Sequence, residues 1–337
     1  MRKRKAGGSM GEKEIDVLSQ YDIDVKNTKK VRGAVLCDTK QGLYLLKELK
    51  SSEKTLPVLY EVQEKLQKLG YENIDNLLKN KEEEFYSSME DGTKYIVKRW
   101  FQGKESDIHK ESDIIKSVEN LAKLHKILAS EEMPEVRKKE SLKEIFSRHN
   151  RELKKIRTFI RNRVGKGEFE SLYLSQFDTM YRRAEKAFEK LADFEGIYKL
   201  NMNENHFAIV HGDYNYHNIL MTSYGIATTN FEHFYQGFQM DDFYYFLRKT
   251  MEKNHWDRQL GTKMIEAYHK IKGISEEELL YLGICLAYPE KFWKAANSYY
   301  RSRKSWIPAK SLEKLQLSIE QEVAKRLFLE DVIQLKM

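Results

Sequence analysis

The sequence predicts an α+β fold with two lobes: a small N-terminal lobe with an antiparallel sheet and one helix, and a larger, mostly helical C-terminal lobe. Two observations predict this arrangement. Short β-prone runs surround a single helical pattern in the first hundred residues, whereas most later segments carry apolar residues three or four positions apart. With 337 residues, 41% of them hydrophobic, the chain can bury two cores of ordinary size.

The N-terminal lobe is predicted from the order of its elements. The runs GAVLCDT and GLYLLKEL predict two strands joined by a turn at 38–42, and a helical pattern that ends at Gly70 follows them. The runs EEFYSSME and TKYIVKRWF predict two more strands. This order is typical of a small sheet with one helix packed across it, so we place the N-terminal lobe at 13–103, after a flexible basic arm at 1–12.

The C-terminal lobe, at 104–337, is predicted to be helical apart from one island. Residues 207–234 contain the short β-prone runs FAIV, NILMT and GIATTNF, separated by polar loops. Functional residues concentrate in such loops when a rigid scaffold holds them. We therefore expect the catalytic loop in this island.

Composition excludes several classes of protein. The 59 Lys and Arg residues against 52 Asp and Glu leave a net charge of +7, a modest excess that gives no reason to expect nucleic acid as a partner. Cys37 and Cys285 stand in separate apolar stretches, which predicts buried thiols in a reducing compartment. No apolar run approaches the roughly 18 residues of a membrane span, and the basic start lacks the apolar core of a signal peptide. These features predict synthesis in the cytosol and no membrane partner.

The island contains the run HGDYNYHN, which predicts phosphoryl-transfer chemistry. In a kinase catalytic loop, an aspartate accepts the proton of the substrate hydroxyl, and an asparagine further along the loop turns its oxygen to a magnesium ion. Asp213 and Asn218 stand at this spacing, with strands predicted on both sides. They are the predicted catalytic residues, and Asn218 is also a predicted metal ligand.

The same chemistry needs a lysine from the small sheet to hold the nucleotide phosphates, with a glutamate from the next helix to orient it. Lys47 interrupts the apolar run LYLLKEL, and Glu61 is the preferred partner over Glu64. Taken alone, Lys47 is more simply interpreted as a solvated lysine of a strand. Its position before the distant HGDYNYHN run favours the functional interpretation.

A loop that covers the phosphates should precede this lysine. The candidate is KNTKKVRG at 26–33, where Arg32 and Gly33 would meet the nucleotide through a side chain and a tight turn. The segment has a single glycine, so a solvated basic turn is an equally good interpretation.

Several motifs together resemble a known family. HGDYNYHN, the helical run LAKLH and the Asp242–Phe243 pair resemble aminoglycoside phosphotransferases and choline kinases, which have the two-lobed protein kinase-like fold. HGDYNYHNIL, TNFEHF, DDFYYFLRKTMEKNHW and YPEKFWKAANSYYRSRKSWIP, in that order, resemble the CotS family of spore coat proteins. The resemblance implies ATP or another nucleoside triphosphate and Mg²⁺ as cofactors, and a small hydroxyl compound or a coat protein as acceptor. It also implies a place in the spore coat of a sporulating Firmicute.

One position departs from the pattern of the active kinases. Their second metal ligand is an aspartate after the catalytic loop, where this chain has Asn230, the other predicted metal ligand. An amide oxygen carries no net charge, so we expect weaker magnesium binding. Glu232 is either a replacement carboxylate or a surface residue.

Three functions therefore remain open. The first is an ATP- and Mg²⁺-dependent phosphotransferase, and the second is an inactive kinase-fold scaffold in the coat. The third is a nucleic-acid binder that uses a basic aromatic cluster, for which core packing is the simpler interpretation. The cluster comprises Tyr299, Tyr300, Arg301, Arg303, Lys304 and Trp306.

Overall fold

The computed structural model describes residues 12–130, 134, 136, 138, 140–201, 208–302 and 309–336. The basic arm up to residue 11, Phe207 and the cluster residues Arg303, Lys304 and Trp306 lie outside the described residues. The chain divides into two compact units. The first comprises Met1–Asp107, Lys123–Arg137 and Ile209–Gln236, and the second comprises Ile108–Ala122, Lys138–Ala208 and Gly237–Met337. The segment from Ile209, which the sequence places in the C-terminal lobe, thus groups with the small sheet.

The first unit contains nearly all of the strands, and its α+β arrangement is as predicted, except that it has two early helices where the sequence predicted one. The helices are α1 (Glu12–Ser19) and α2 (Leu56–Lys68). The strands are β1 (Val25–Val31), β2 (Ala34–Thr39), β3 (Gly42–Glu48), β4 (Leu77–Leu78), β5 (Ser87–Ser88), β6 (Lys94–Trp100), β7 (Gly103–Glu105), β8 (Ala208–Val210), β9 (Ile219–Thr222), β10 (Gly225–Thr228) and β11 (Tyr235–Gly237). The main sheet has the order β1-β2-β3-β6-β4, with β5 also paired to β6, and the small sheets are β10-β9-β7 and β11-β8.

The register of the main sheet assigns each side chain to one of two faces. β3 and β6 are antiparallel, with Leu45 opposite Lys98 and Lys47 opposite Ile96, so these four side chains share a face. This face belongs to the core that α2 covers, in which Ile96 packs with leucines of the helix. The opposite face packs on α1, through Val17 and Leu18 among others. The alternation of the strands therefore directs two lysines to the α2 side.

One element differs from the prediction. Most of the segment 26–33, predicted as a phosphate-covering loop, is strand β1, and only Arg32 and Gly33 form the turn to β2. The sequence pattern did not predict this strand because β1 lies at the edge of the sheet and carries lysines, which are common on edge strands, where they oppose pairing with further strands.

The second unit is helical. Helix α3 (Glu111–Ser130) begins in this unit and ends in the first. The others are α4 (Leu142–Arg161), α5 (Glu168–Asn201), α6 (Met240–Lys253), α7 (Arg258–Lys272), α8 (Glu276–Ala287), α9 (Glu290–Arg301), α10 (Ala309–Glu320) and α11 (Glu322–Asp331). Stacked aromatic pairs join them, such as Tyr173 of α5 on Phe292 of α9, with ring centroids 5.2 Å apart. The prediction that the aromatics of the cluster pack into the core is confirmed for Tyr299, which is buried against Phe169, and is wrong for Tyr300, which is 46% exposed.

A buried carboxylate at the start of α9 makes this unit sensitive to acid. Burial alone would raise the pKa of Glu290, but His149, Arg248 and Lys294 lower it to about 2. The folded-state pKa therefore lies below the ordinary value of 4.5. The stability from this ionisation is fully present above that ordinary value and is lost as the pH falls towards 2.

We therefore expect a Glu290→Gln variant to be less stable than the parent at pH 6, with a difference of roughly 2–3 kcal/mol that shrinks as the pH falls. Thermal unfolding at pH 6 and pH 3 measures it, with the exposed Glu320→Gln as the control. A difference that is the same at both pH values would contradict the assignment.

No described helix combines the length and the apolar character needed to cross a membrane.

Candidate active site

The predicted catalytic loop, HGDYNYHN at 211–218, contains a glycine that no other residue can replace without strain. Gly212 has a φ of +79°, and a Cβ atom there would lie 2.2 Å from the backbone oxygen of His233. The neighbouring His211 is fully buried, with its Nε2 3.0 Å from the Thr229 oxygen, while its Nδ1 accepts the backbone N–H of Asp213. The histidine and the glycine thus fix the backbone from which Asp213 projects.

Two amides hold the carboxylate of Asp213. Asn215 donates to its Oδ1 and Asn218 donates to its Oδ2, both at 2.9 Å. Each amide also donates to the Asp213 backbone oxygen, at 3.0 and 2.8 Å respectively. The aspartate is therefore kept in one orientation while its side chain remains partly exposed. Such a carboxylate can accept a proton from a hydroxyl group.

Asn230 has a left-handed backbone conformation, with φ 62° and ψ 46°. Among residues other than glycine, asparagine and aspartate adopt this conformation most readily. The Asn230 N–H donates to Asp75 Oδ2 at 2.7 Å, which holds the turn in place. Asp75 reaches this position because Ile74 bridges to Thr228 at the end of β10.

Lys47, Asn230, Asn218 and Asp213 form one hydrogen-bonded chain. Lys47 Nζ donates to Asn230 Oδ1 at 3.0 Å, and Asn230 Nδ2 donates to Asn218 Oδ1 at 2.8 Å. An ammonium group can only donate and an ionised carboxylate can only accept, so Lys47 at one end and Asp213 at the other determine how both amides are oriented. The sequence predicted that these four residues act together, and the structure brings them together.

The carboxylate beside Lys47 is not the predicted one. Glu61 is exposed on α2 and pairs with Lys65, one turn along the same helix. Lys47 instead donates to Glu232 Oε1 at 3.3 Å. The predicted pair of Lys47 with Glu61 is therefore wrong, because the helix turns Glu61 towards solvent. The interpretation of Glu232 as a surface residue is also wrong, since its side chain is only 8% exposed.

Glu232 belongs to a buried ionic network that includes Lys98 and Asp75. Lys98 Nζ donates to Asp75 Oδ2 at 2.5 Å and to Glu232 Oε1 at 2.8 Å, and neither Lys98 nor Asp75 is exposed to solvent. Burial would raise the pKa of Glu232, but Lys98 and Lys47 lower it to about 2. Burial raises the pKa of Asp75, against the attraction of Lys98. The ammonium of Lys98 thus keeps Glu232 ionised beside Lys47.

Helix α2 contributes to this network through Gln63 rather than through a glutamate. Gln63 Nε2 donates to the Asp75 backbone oxygen, and its Oε1 accepts the Leu77 N–H, both at 3.1 Å. Because Gln63 is 1% exposed and both hydrogen bonds are made, it holds the segment that carries Asp75.

The predicted metal ligands fit a magnesium ion poorly. The oxygens of Asn218 and Asn230 already accept N–H groups from Asn230 and Lys47. Magnesium prefers charged oxygen ligands in a near-octahedral arrangement. Among the described residues, no group of three or more His, Cys, Asp or Glu side chains is arranged to hold a metal ion. A cation would bind here only after the amide of Asn230 turned away from both partners.

The turn between β1 and β2 meets the predicted catalytic loop through Arg32. Arg32 Nη1 lies 2.8 Å from Glu105 Oε1 and 3.0 Å from His217 Nδ1, which is itself 2.6 Å from Glu105 Oε2. Gly33 completes the turn with φ +76°. The structure therefore places Arg32 beside residues 211–218, with its side chain 72% exposed.

Asp75 and Lys98 are the residues that sequence reasoning missed. Lys98 interrupts the apolar run YIVKRW in the same way that Lys47 interrupts LYLLKEL, so the signal was present. Asp75 stands in a loop with no pattern of its own, and only the fold brings it to Asn230.

The fold is of the protein kinase-like type, and solved structures share it. The chain is similar to an aminoglycoside phosphotransferase from Alicyclobacillus acidocaldarius, with 18% identity, a TM-score of 0.83 and coverage of 98% of this chain and 97% of the other. It is similar to spectinomycin phosphotransferase in complex with ADP and spectinomycin, with 14% identity, a TM-score of 0.63 and coverage of 94% of this chain and 98% of the other. It is also similar to an amicoumacin kinase in complex with AMP-PNP, Ca²⁺ and Ami, with 11% identity, a TM-score of 0.61 and coverage of 93% of this chain and 96% of the other. At these identities the likeness shows the fold alone.

The family is shown by sequence. The model described as "Spore coat putative kinase YutH" matches residues 14–332, nearly the whole chain, and the chain belongs to this family. This confirms the predicted resemblance to CotS-like spore coat proteins. A comparison with curated protein sequences finds no match.

Proposed function

We propose that this protein is a nucleotide-dependent phosphotransferase of the spore coat with a weakened dependence on divalent cations. One observation carries the proposal: Lys47, Asn230, Asn218 and Asp213 converge in a single hydrogen-bonded chain. Kinase chemistry depends on positioning and charge rather than on covalent steps, so a preassembled chain of this kind suits it.

Each end of the chain has a role in the transfer. Lys47, with 30% of its side chain exposed, binds the phosphates of ATP or another nucleoside triphosphate. Asp213 accepts the proton of the acceptor hydroxyl as that oxygen bonds to the γ-phosphorus and the bond to the leaving diphosphate breaks. Mg²⁺ would supply neutralisation of the phosphate charge once the Asn230 amide had turned away from Lys47 and Asn218.

The family supports a location in the spore coat, and the acceptor is then a small hydroxyl compound or another coat protein. The complexes of similar kinases with ADP or AMP-PNP support a nucleotide partner.

Thermal unfolding with ATP, with and without Mg²⁺, tests the proposal. A nucleotide at one hundred times its dissociation constant stabilises a protein by about 2.7 kcal/mol through mass action. We expect ATP to raise the unfolding temperature of the parent, and Lys47→Met to lose most of this shift because the phosphates lose their cation. The exposed Lys50→Met on the same segment is the matched control and should respond like the parent. No shift in the parent at any nucleotide concentration would remove the nucleotide role.

A second function is favoured by a specific observation. The amide of Asn230 fills the place of a carboxylate and satisfies Asn218 without any cation. This suits a kinase-fold scaffold that contributes to coat assembly and has lost catalysis. The scaffold predicts the same fold, no nucleotide-dependent stabilisation and no phosphate release.

A further inference from the structure

We propose that Asp75 and Lys98 are positioning residues that determine how tightly Lys47 is held. The inference rests on the proposed function only where nucleotide binding is concerned. It concerns two fully buried side chains that the family resemblance does not assign.

The geometry places two ammonium groups on one carboxylate oxygen. Glu232 Oε1 accepts from Lys98 at 2.8 Å and from Lys47 at 3.3 Å, so two ammonium groups share it and the shorter contact belongs to Lys98. Lys98 is shared in turn, because it also donates to Asp75 Oδ2 at 2.5 Å. Asp75 and Glu232 thus share the ammonium group of Lys98, and Lys98 and Lys47 share the carboxylate of Glu232.

Charge balance gives the arrangement its effect. Two ammonium groups face two carboxylates, and three of these four groups are almost fully buried, where charges interact strongly. Without Asp75, Lys98 would have Glu232 as its remaining carboxylate, and Lys47 would be released. Without Lys98, Glu232 would have Lys47 as its remaining cation, and Lys47 would be held more firmly.

The two substitutions should thus change Lys47 in opposite directions. The rate of acylation by acetic anhydride reports how far the Lys47 amine is released from its hydrogen-bond partners. Lys50, in the same peptide after digestion, is the internal standard. Relative to the parent, we expect Asp75→Asn to increase Lys47 labelling on the order of threefold or more, and Lys98→Met to decrease it by a similar factor. Lys94→Met, on the same strand but in a surface pair with Glu53, should have no effect.

A buried carboxylate pair without its lysine can prevent folding, so a double variant protects the test. Asp75→Asn combined with Lys98→Met leaves no excess buried charge beside the Lys47–Glu232 pair. The double variant should fold, and its Lys47 should be acylated more slowly than in the parent. Asp75→Asn alone should instead increase this acylation above that of the parent. If Asp75 and Lys98 were merely structural, each substitution would loosen the site and increase the labelling of Lys47. Increased labelling in both variants, or unchanged labelling in both, would overturn the proposal.

Nucleotide affinity gives a second measurement that separates the two proposals. We expect Lys98→Met and the double variant to bind ATP on the order of tenfold more weakly, and Asp75→Asn to bind no more weakly than the parent. If the parent binds no nucleotide, the proposed function fails, while the labelling experiment still decides the role of Asp75 and Lys98.

Discussion

Replacing Asn230 with aspartate is expected to make the protein depend on magnesium. Aspartate cannot donate to Asn218 Oδ1, so the bond of 2.8 Å at this position is lost and the oxygens of both side chains face each other. Without a cation, this should cost about 1–3 kcal/mol of stability. A divalent cation between the two oxygens should restore it, because the site then contains a charged ligand.

The measurement is a magnesium titration followed by thermal unfolding and by ADP release from ATP. We expect the apparent magnesium affinity to rise on the order of tenfold or more, and ATP turnover to rise with it. Asn27→Asp adds the same charge on the exposed edge strand β1 and is the matched control. If Asn230→Asp and Asn27→Asp respond to magnesium alike, Asn230 does not occupy a cation position.

The second large effect is expected at Asp213. An Asp213→Asn variant keeps the size of the side chain and can still accept one of the two amide hydrogen bonds, but it cannot take a proton. Removing a general base of this kind lowers turnover by roughly 10²- to 10⁴-fold. Nucleotide binding should remain close to that of the parent, because Lys47 lies at the other end of the chain of hydrogen bonds.

ADP release and the ATP-induced thermal shift, measured on the same preparation, separate these two effects. Retention of the shift with loss of turnover supports Asp213 as the base. Turnover equal to that of the parent would remove this role, and an absence of turnover in the parent and in Asn230→Asp alike would favour the scaffold.

Sequence alone predicted the two ends of the candidate site because each carries a local signal. The spacing of Asp213 and Asn218 is visible within the run HGDYNYHN, and the short loop that contains them brings both side chains to one side. Lys47 is a charge within an apolar strand, and such a charge must have a reason to be there. The main strands and the long helices were predictable because their apolar residues repeat with the period of the element.

The tertiary structure alone decided which groups hold Lys47. The sequence offered Glu61 on the next helix, but the packing of α2 turns that residue outwards and turns Gln63 inwards. Asp75 and Lys98 lie 23 residues apart and Glu232 follows Lys98 by 134 residues, and their pairing depends on sheet register and on one left-handed turn. Local patterns carry no information about such long-range pairing, because the energy that selects it arises only when the charges are buried together.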